Sequence, residues 1–255
     1  MSEKKLRFET LQIHGGYRVD DTGSRGEAIY PTAAYHFKTC DYAARLFELK
    51  EFGNIYTRLQ NPTTSSYEER IAALEGGVGA LAVASGMSAQ LIAITSLADS
   101  GDNIVASPYL YGGTFNQFKI TFRKLGIDCR LGHDDSVAEL ERLIDGRTKA
   151  IYVESMSNPG CSVPDLEGLA ALARRYDVPL VVDNTFGTPY FIRPIEHGAD
   201  VVVHSATKFL NGHGDALAGF VCGRRDLMDQ VRMFGVKDMT GSVLGRRRRS
   251  WSCGA

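Results

Sequence analysis

Several absences narrow what this chain does. Its 255 residues include five cysteines (Cys40, Cys129, Cys161, Cys222 and Cys253), an odd number with no C-x-x-C spacing. That pattern offers neither a disulfide framework nor a thiolate metal site, and it fits reduced thiols in a cytoplasmic protein. No apolar run approaches the length of a membrane span, and the polar start, Met1 to Thr10, has no secretory apolar region. Lys and Arg total 29 against 30 Asp and Glu, a formal net charge of −1. No excess of one charge therefore points to nucleic acid or an anionic membrane as a partner. Internal repeats and low-complexity linkers are absent. Neither G-x-G-x-x-G nor a P-loop stands at a strand–helix junction, which disfavours a plain nucleotide-binding domain.

The composition is 44% hydrophobic, enough for one large domain plus a small appendage. Residues 1–60 are rich in Gly, Thr, Tyr and Asp without clear periodicity, and are expected to form an arm rather than a core. Asn61-Pro62 opens a helix, with Ser65 and Glu68 at capping-box spacing and Gly76 just past its end. Strands are then expected at Ala80 to Val83, Asn103 to Ser107, Ile127 to Leu131, Ala150 to Glu154, Leu180 to Asp183, Val201 to His204 and Phe220 to Cys222. Between them fall helices at Ser88 to Leu97, Thr114 to Leu125, Val137 to Ile144 and Leu166 to Tyr176. Such alternation implies an α/β fold with a mostly parallel sheet covered on both faces. Residues 245–255 break the pattern. They carry four arginines, Arg246 to Arg249, and the sole tryptophan, Trp251, and read as a basic, unstructured tail.

In open α/β sheets ligands bind beyond the carboxyl ends of the strands, and polar residues gather there: Ser85, Gly86, Tyr111, Glu154, Asp183 and Ser205 to Lys208. Lys208 follows an apolar strand between hydroxyls and glycines. Burial there would disfavour its ammonium form, as a Schiff-base amine requires. Asp183 closes a second apolar strand and needs a cationic or donor partner. A lysine and an aspartate so placed are the pair expected for pyridoxal phosphate (PLP), the amine holding the aldehyde and the acid the pyridinium nitrogen. Ser85-Gly86-Met87 precedes a helix whose N-terminus can receive a phosphate, with Ser205 and Thr207 as further donors; each set alone also fits ordinary turn and capping roles. Tyr111 can stack on a heteroaromatic ring or pack in the core. His204, His213 and Asp215 lack companion ligands, so no metal is expected and the G-H-G-D stretch reads as a tight turn.

Separated motifs then add up: Tyr30-Pro31-Thr32, Y-T-R-L-Q-N-P-T from Tyr56, A-S-G-M from Ala84, Y-G-G-T from Tyr111, V-V-D-N-T-F from Val181 and H-S-A-T-K from His204. Over residues 6–244 they resemble the Cys/Met-metabolism PLP-dependent enzymes of trans-sulfuration. That family includes cystathionine γ-synthase and lyases, methionine γ-lyase and O-acetylhomoserine sulfhydrylase. The resemblance implies an aspartate aminotransferase-like, fold type I large domain over residues 61–244, preceded by the arm of residues 1–60. It implies Lys208 as the Schiff-base lysine that also shuttles protons, Asp183 at the pyridinium nitrogen and Tyr111 over the ring. Gly86, Met87, Ser205 and Thr207 match the phosphate cradle, and Asn158 the position near the 3′-hydroxyl. Tyr56 and Arg58 match residues that reach a neighbouring subunit's phosphate, so a homodimer or homotetramer with shared sites is implied.

The substrates implied are an amino acid and a thiol. F-E-L-K-E-F-G-N-I-Y-T-R from Phe47, A-L-E-G-G-V from Ala73 and Y-G-G-T resemble the O-acetylhomoserine sulfhydrylases, and methionine γ-lyases tend to carry cysteine where Gly113 stands. N-G-H-G-D from Asn211 and V-K-D-M-T-G from Val236 resemble the lyases and cystathionine enzymes instead. γ-Replacement is the expected reaction, with γ-elimination the alternative. After Leu244 the resemblance stops, and no residue matches the arginine that the family's C-terminal domain supplies to the substrate α-carboxylate. The chain is therefore expected to be truncated, its end the mark of a frameshift or premature stop. The competing reading of another class is an inactive remnant that still binds PLP.

Overall fold

The computed structural model describes residues 6–245 apart from Leu49 and Phe52; residues 246–255, with the arginine run, Trp251 and Cys253, lie outside the described residues. Two short helices, α1 (Phe8–His14) and α2 (Cys40–Phe47), occupy the N-terminal segment, so it is less irregular than its composition suggests. Thr39 caps α2 by accepting from the Tyr42 amide. The arm is tied to the body through α3 (Pro62–Glu75): Arg70 donates to the Gly15 carbonyl at 2.8 Å and to Glu27 at 2.6 Å.

The α3 start falls where the Asn61-Pro62 pair predicts, but the cap is Asn61, whose side chain accepts from the Thr63 amide. Ser65 and Glu68 do not form the expected capping box. Both lie inside the helix, and Glu68 instead accepts from the Ala82 amide and pairs with Arg232 at 2.7 Å. Gly76 ends the helix in the left-handed region at φ 79°, a conformation that favours glycine.

The remaining elements run β1 (Gly79–Val83), α4 (Gly86–Thr95), β2 (Asn103–Ala106), α5 (Gly112–Asn116), β3 (Asp128–Leu131), α6 (Val137–Arg142), β4 (Thr148–Glu154), α7 (Leu166–Arg175), β5 (Leu180–Asp183), α8 (Thr188–Phe191), β6 (Val201–His204), β7 (Gly219–Gly223) and α9 (Arg225–Gln230). α5 and α9 continue as wider π-helical turns over Gln117–Phe122 and Val231–Thr240. Every expected strand is present with ends shifted by two residues at most. α4 starts two residues before the expected Ser88 because Ser85, not a later residue, caps it by accepting from the Ser88 amide.

The sheet order is β1-β7-β6-β5-β4-β2-β3. β3, β2, β4, β5 and β6 pair in parallel, while β7 runs antiparallel to both β6 and β1. The sheet is thus mixed, and because β7 alone is reversed, β1 shares the direction of the parallel block. Alternation along the strands sends Tyr152, Val181 and Val203 to one face, under α4 and the helix that continues from α5, where Phe118 and Phe122 pack. Ile151, Val153, Val182 and Val202 face the other way, under α6 and α7. Among the described residues no helix is long and apolar enough to cross a membrane. The four described cysteines are free, Cys129 and Cys222 being buried and Cys40 and Cys161 exposed.

Leu169 on α7 is fully buried in the second layer. Leu169→Ala is expected to lower the unfolding free energy by about 2–5 kcal/mol in urea denaturation, through lost transfer energy and a residual cavity.

Candidate active site

With one strand reversed, the carboxyl ends of β1, β2, β4, β5 and β6 share one edge of the sheet. A cleft of about 750 Å³ opens there. Eight of the ten residues that the family resemblance assigns to the cofactor line it: Gly86, Met87, Tyr111, Asn158, Asp183, Ser205, Thr207 and Lys208. Tyr56 and Arg58 do not. Tyr56 is exposed, the Arg58 guanidinium lies 5.7 Å from its ring centroid, and Arg58 donates to the Lys237 carbonyl.

One end of the cleft is made by the α4 N-terminus and the turn after β6. A Cβ placed on Gly86 would sit 2.5 Å from Ser205 Cβ, so only glycine allows these two backbones to meet. The helix end contributes partial positive charge and backbone N–H groups. The Ser205 amide donates to Thr185 Oγ1 at 2.7 Å. The Thr207 hydroxyl joins the turn to the start of β7, donating to the Ala218 carbonyl at 3.3 Å and accepting from the Ala218 amide at 3.2 Å. Thr207 therefore has the turn-bracing role that ordinary capping would give it.

Lys208 departs from expectation. It is exposed at the cleft, not buried, because the chain leaves β6 at Ser205 and turns outward, the Lys208 amide donating to the Ser205 carbonyl at 3.1 Å. The environment of its amine is an open cleft wall. His213 and Asp215 follow in the turn expected for G-H-G-D, with Gly212 and Gly214 at φ 70° and 69°. His213 Nδ1 lies 2.7 Å from the Asn211 carbonyl, and Asn211 donates to Asp215 at 2.9 Å.

The opposite wall is acidic. Glu154 and Asp183 are register partners at the ends of β4 and β5, which brings two carboxylates side by side. Burial raises the Asp183 pKa above its ordinary value; hydrogen bonds from Thr185, the positive field of His204 and a bond from Tyr152 pull it back. The Thr185 amide donates to Asp183 Oδ1 at 2.9 Å and the Tyr152 hydroxyl to Oδ2 at 3.3 Å. Burial, then the charge of Asp183, pushes Glu154 up to about 8, against lowering by the amides of Tyr111 and Asn158. Those amides donate to its two oxygens at 2.6 and 3.3 Å, so Glu154 positions two cleft residues at once. Glu154 stands out in the sequence only as a polar strand end. Gln90 is a residue the sequence does not flag: it is buried under the cleft, donating to Gln117 at 2.7 Å and accepting from Thr114 at 3.0 Å.

A lysine and a carboxylate facing one cleft at the strand ends, opposite a helix N-terminus, define a fold type I PLP-dependent α/β domain. The chain belongs to the Cys/Met metabolism PLP-dependent enzyme family, matched over residues 9–253. It is 54% identical over 216 residues to a sulfhydrylase of Gibberella moniliformis, covering 84% of this chain and 50% of that protein. It is 53% identical over 219 residues to O-acetyl-L-homoserine sulfhydrylase 1 of Thermus thermophilus, covering 85% and 52%. The chain thus spans about half the length of these relatives. Its fold matches a crystal structure assigned to an O-acetylhomoserine (thiol)-lyase of Campylobacter jejuni with a pyridoxyl-lysine monophosphate. That match has a TM-score of 0.91 and 35% identity, covering 97% of this chain and 69% of that one.

Glu154 also makes stability depend on pH. Its folded-state pKa of about 8 exceeds the ordinary 4.5, so its contribution is full below the ordinary value and is lost as pH rises through about 8. In denaturation from about pH 5 to about pH 9, the wild type is expected to lose stability relative to Glu154→Gln, by about 1.4 kcal/mol per pKa unit. Parallel pH profiles for the two proteins would refute this. Asp183→Asn, by removing the neighbouring charge, is expected to narrow the window from its upper end.

Proposed function

We propose that the protein carrying this chain is a PLP-dependent enzyme of γ-replacement, adding sulfide or a thiol to an O-acetylhomoserine-type amino acid. The observation that supports it most is the joint placement of Lys208, Asp183, Tyr111 and the Gly86–Ser205 contact around one cleft. The cleft also fits the cofactor chemically: a half-buried carboxylate with a raised pKa gains from a protonated ring nitrogen, and a helix N-terminus gains from a phosphate. When bound, PLP would supply an electron sink that acidifies hydrogens on the substrate's α and β carbons.

In this reading the Lys208 amine holds the cofactor's aldehyde carbon and later moves protons between Cα and Cβ. Asp183 keeps the ring nitrogen protonated. Tyr111 covers the ring face and assists proton transfer, held in place through its amide by Glu154. The amides of Gly86 and Met87, with the hydroxyl of Ser205 and that of Thr207 once it turns from the Ala218 carbonyl, take the phosphate, and Asn158 stands at the 3′-hydroxyl. Tyr56 and Arg58, outside their own cleft, serve the phosphate of a neighbouring subunit, so the working form is a homodimer or homotetramer. We place it in the cytoplasm, where its thiols stay reduced.

Gly113 favours replacement over elimination. A Cβ there would lie 2.5 Å from Tyr111 Cε1 and 3.3 Å from Met87 Sδ, so the tyrosine ring rests against a bare backbone. The cysteine that methionine γ-lyases tend to carry at this position would have to displace that ring.

Protein supplied with PLP is expected to turn yellow, and borohydride should fix the label on Lys208. Lys208→Ala should lose the fixed label and lose thiol addition to O-acetylhomoserine by about 10²–10⁴-fold or more. No colour and no labelled lysine in the wild type would overturn the cofactor reading. Release of 2-oxobutanoate from methionine faster than thiol addition would overturn γ-replacement in favour of γ-elimination.

A further inference from the structure

Behind the cleft lies a buried polar chain that the proposed chemistry does not use. Glu75, the last residue of α3, and His204, the last of β6, are both fully buried, with His204 Nε2 2.5 Å from Glu75 Oε1. The same oxygen accepts from Asn184 Nδ2 at 2.9 Å, and Asn184 Nδ2 also donates to the Ile192 carbonyl at 2.9 Å. Asn184 Oδ1 accepts from the Ser155 hydroxyl at 2.8 Å. Each strand-end member is the chain neighbour of a cleft residue. Ser155 follows Glu154, Asn184 follows Asp183, and His204 precedes Ser205.

Stability alone is a poor reason for this arrangement. A carboxylate in the last turn of a helix opposes the helix dipole. Gly76 already terminates α3, so Glu75 is not needed as a cap. Glu75 Oε2 and His204 Nδ1 find no hydrogen-bond partner among the described residues. A buried carboxyl–imidazole pair with orphaned polar atoms is a weak source of stability, since well-packed apolar residues of equal volume often do as well or better. What the pair does achieve is geometric. One carboxylate oxygen gathers a side chain from β6 and one from just past β5, and through Asn184 it reaches the end of β4.

We propose that Glu75 is a positioning residue for the cofactor cleft, setting through His204, Asn184 and Ser155 the spacing between Asp183 and Ser205. The proposal rests on the reading of the cleft as a PLP site. The distance between those two residues must match the span from ring nitrogen to phosphate, so a loosened network weakens cofactor binding before it unfolds the domain.

The test measures PLP affinity by spectral titration of cofactor-free protein, with the melting temperature of the same cofactor-free samples. Glu75→Gln is expected to weaken binding by about 10- to 100-fold, by analogy with the loss when the outer hydrogen-bond partners of metal-ligating residues are removed. Ser155→Ala, which removes only the outermost bond, is expected to weaken it less and remain folded; it decides the matter if Glu75→Gln does not fold. Glu68→Gln is the control. It breaks the less buried ion pair that Glu68, on the same helix as Glu75, makes with Arg232 outside the network, and should lower the melting temperature without changing affinity. The proposal is overturned if Ser155→Ala and a folded Glu75→Gln bind PLP as the wild type does, or if Glu68→Gln weakens binding as much as Glu75→Gln. A wild type that binds no PLP overturns the reading of the cleft itself, and this inference with it.

Discussion

Two carboxylates side by side at the ends of adjacent parallel strands are the constraint around which this molecule is organised. Glu154 and Asp183 are brought together by strand register, not by choice of rotamer, so their mutual repulsion is built into the sheet. Burial disfavours both charges. Each is offset by donors the backbone supplies: the amides of Tyr111 and Asn158 for Glu154, that of Thr185 for Asp183. Glu154 uses both its oxygens in this way. Asp183 retains an exposed edge on the cleft, where a cationic ring nitrogen would relieve it.

Sheet direction makes this wall part of a site. Because β7 is the one reversed strand, the chain after β1 returns to the same edge as the chain after β6. Gly86 and Ser205, more than a hundred positions apart in the sequence, then meet at a contact that no side chain larger than hydrogen would allow. Gly219, at the start of β7, obeys the same rule, since a Cβ there would fall 2.2 Å from the Ser85 carbonyl oxygen. These contacts fix one end of the cleft against the acidic wall at the other.

Much of this was legible in the chain. Leu180 to Asp183 and Val201 to His204 have the expected bounds because three apolar, mostly β-branched residues closed by a polar one leave a buried strand little alternative. The α3 start is equally plain from Asn61-Pro62. The capping-box spacing of Ser65 and Glu68 misled, because spacing cannot tell a cap from a mid-helix residue whose partner, Arg232, comes from far along the chain. α1 and α2 went unseen for a related reason. α1 is a seven-residue helix with no buried residue, held against α3 by contacts such as Arg70 to the Gly15 carbonyl, and α2 is only eight residues long with Leu46 its one buried side chain. Lys208 was expected to be buried because it follows a buried strand. The outward turn after Ser205 reverses that, and no local pattern announces it.

By itself the sequence determined the strands, the α/β class, the separated motifs and eight residues that share a cleft, because those follow from local hydrophobic pattern and from residue types suited to particular chemistry. Tertiary structure alone decided which strand is reversed, that Glu154 abuts Asp183, that Glu75 meets His204, and that Lys208 stands open to solvent. Those outcomes depend on long-range pairing and packing, where the energy of a residue is set by neighbours that its own stretch of chain does not contain.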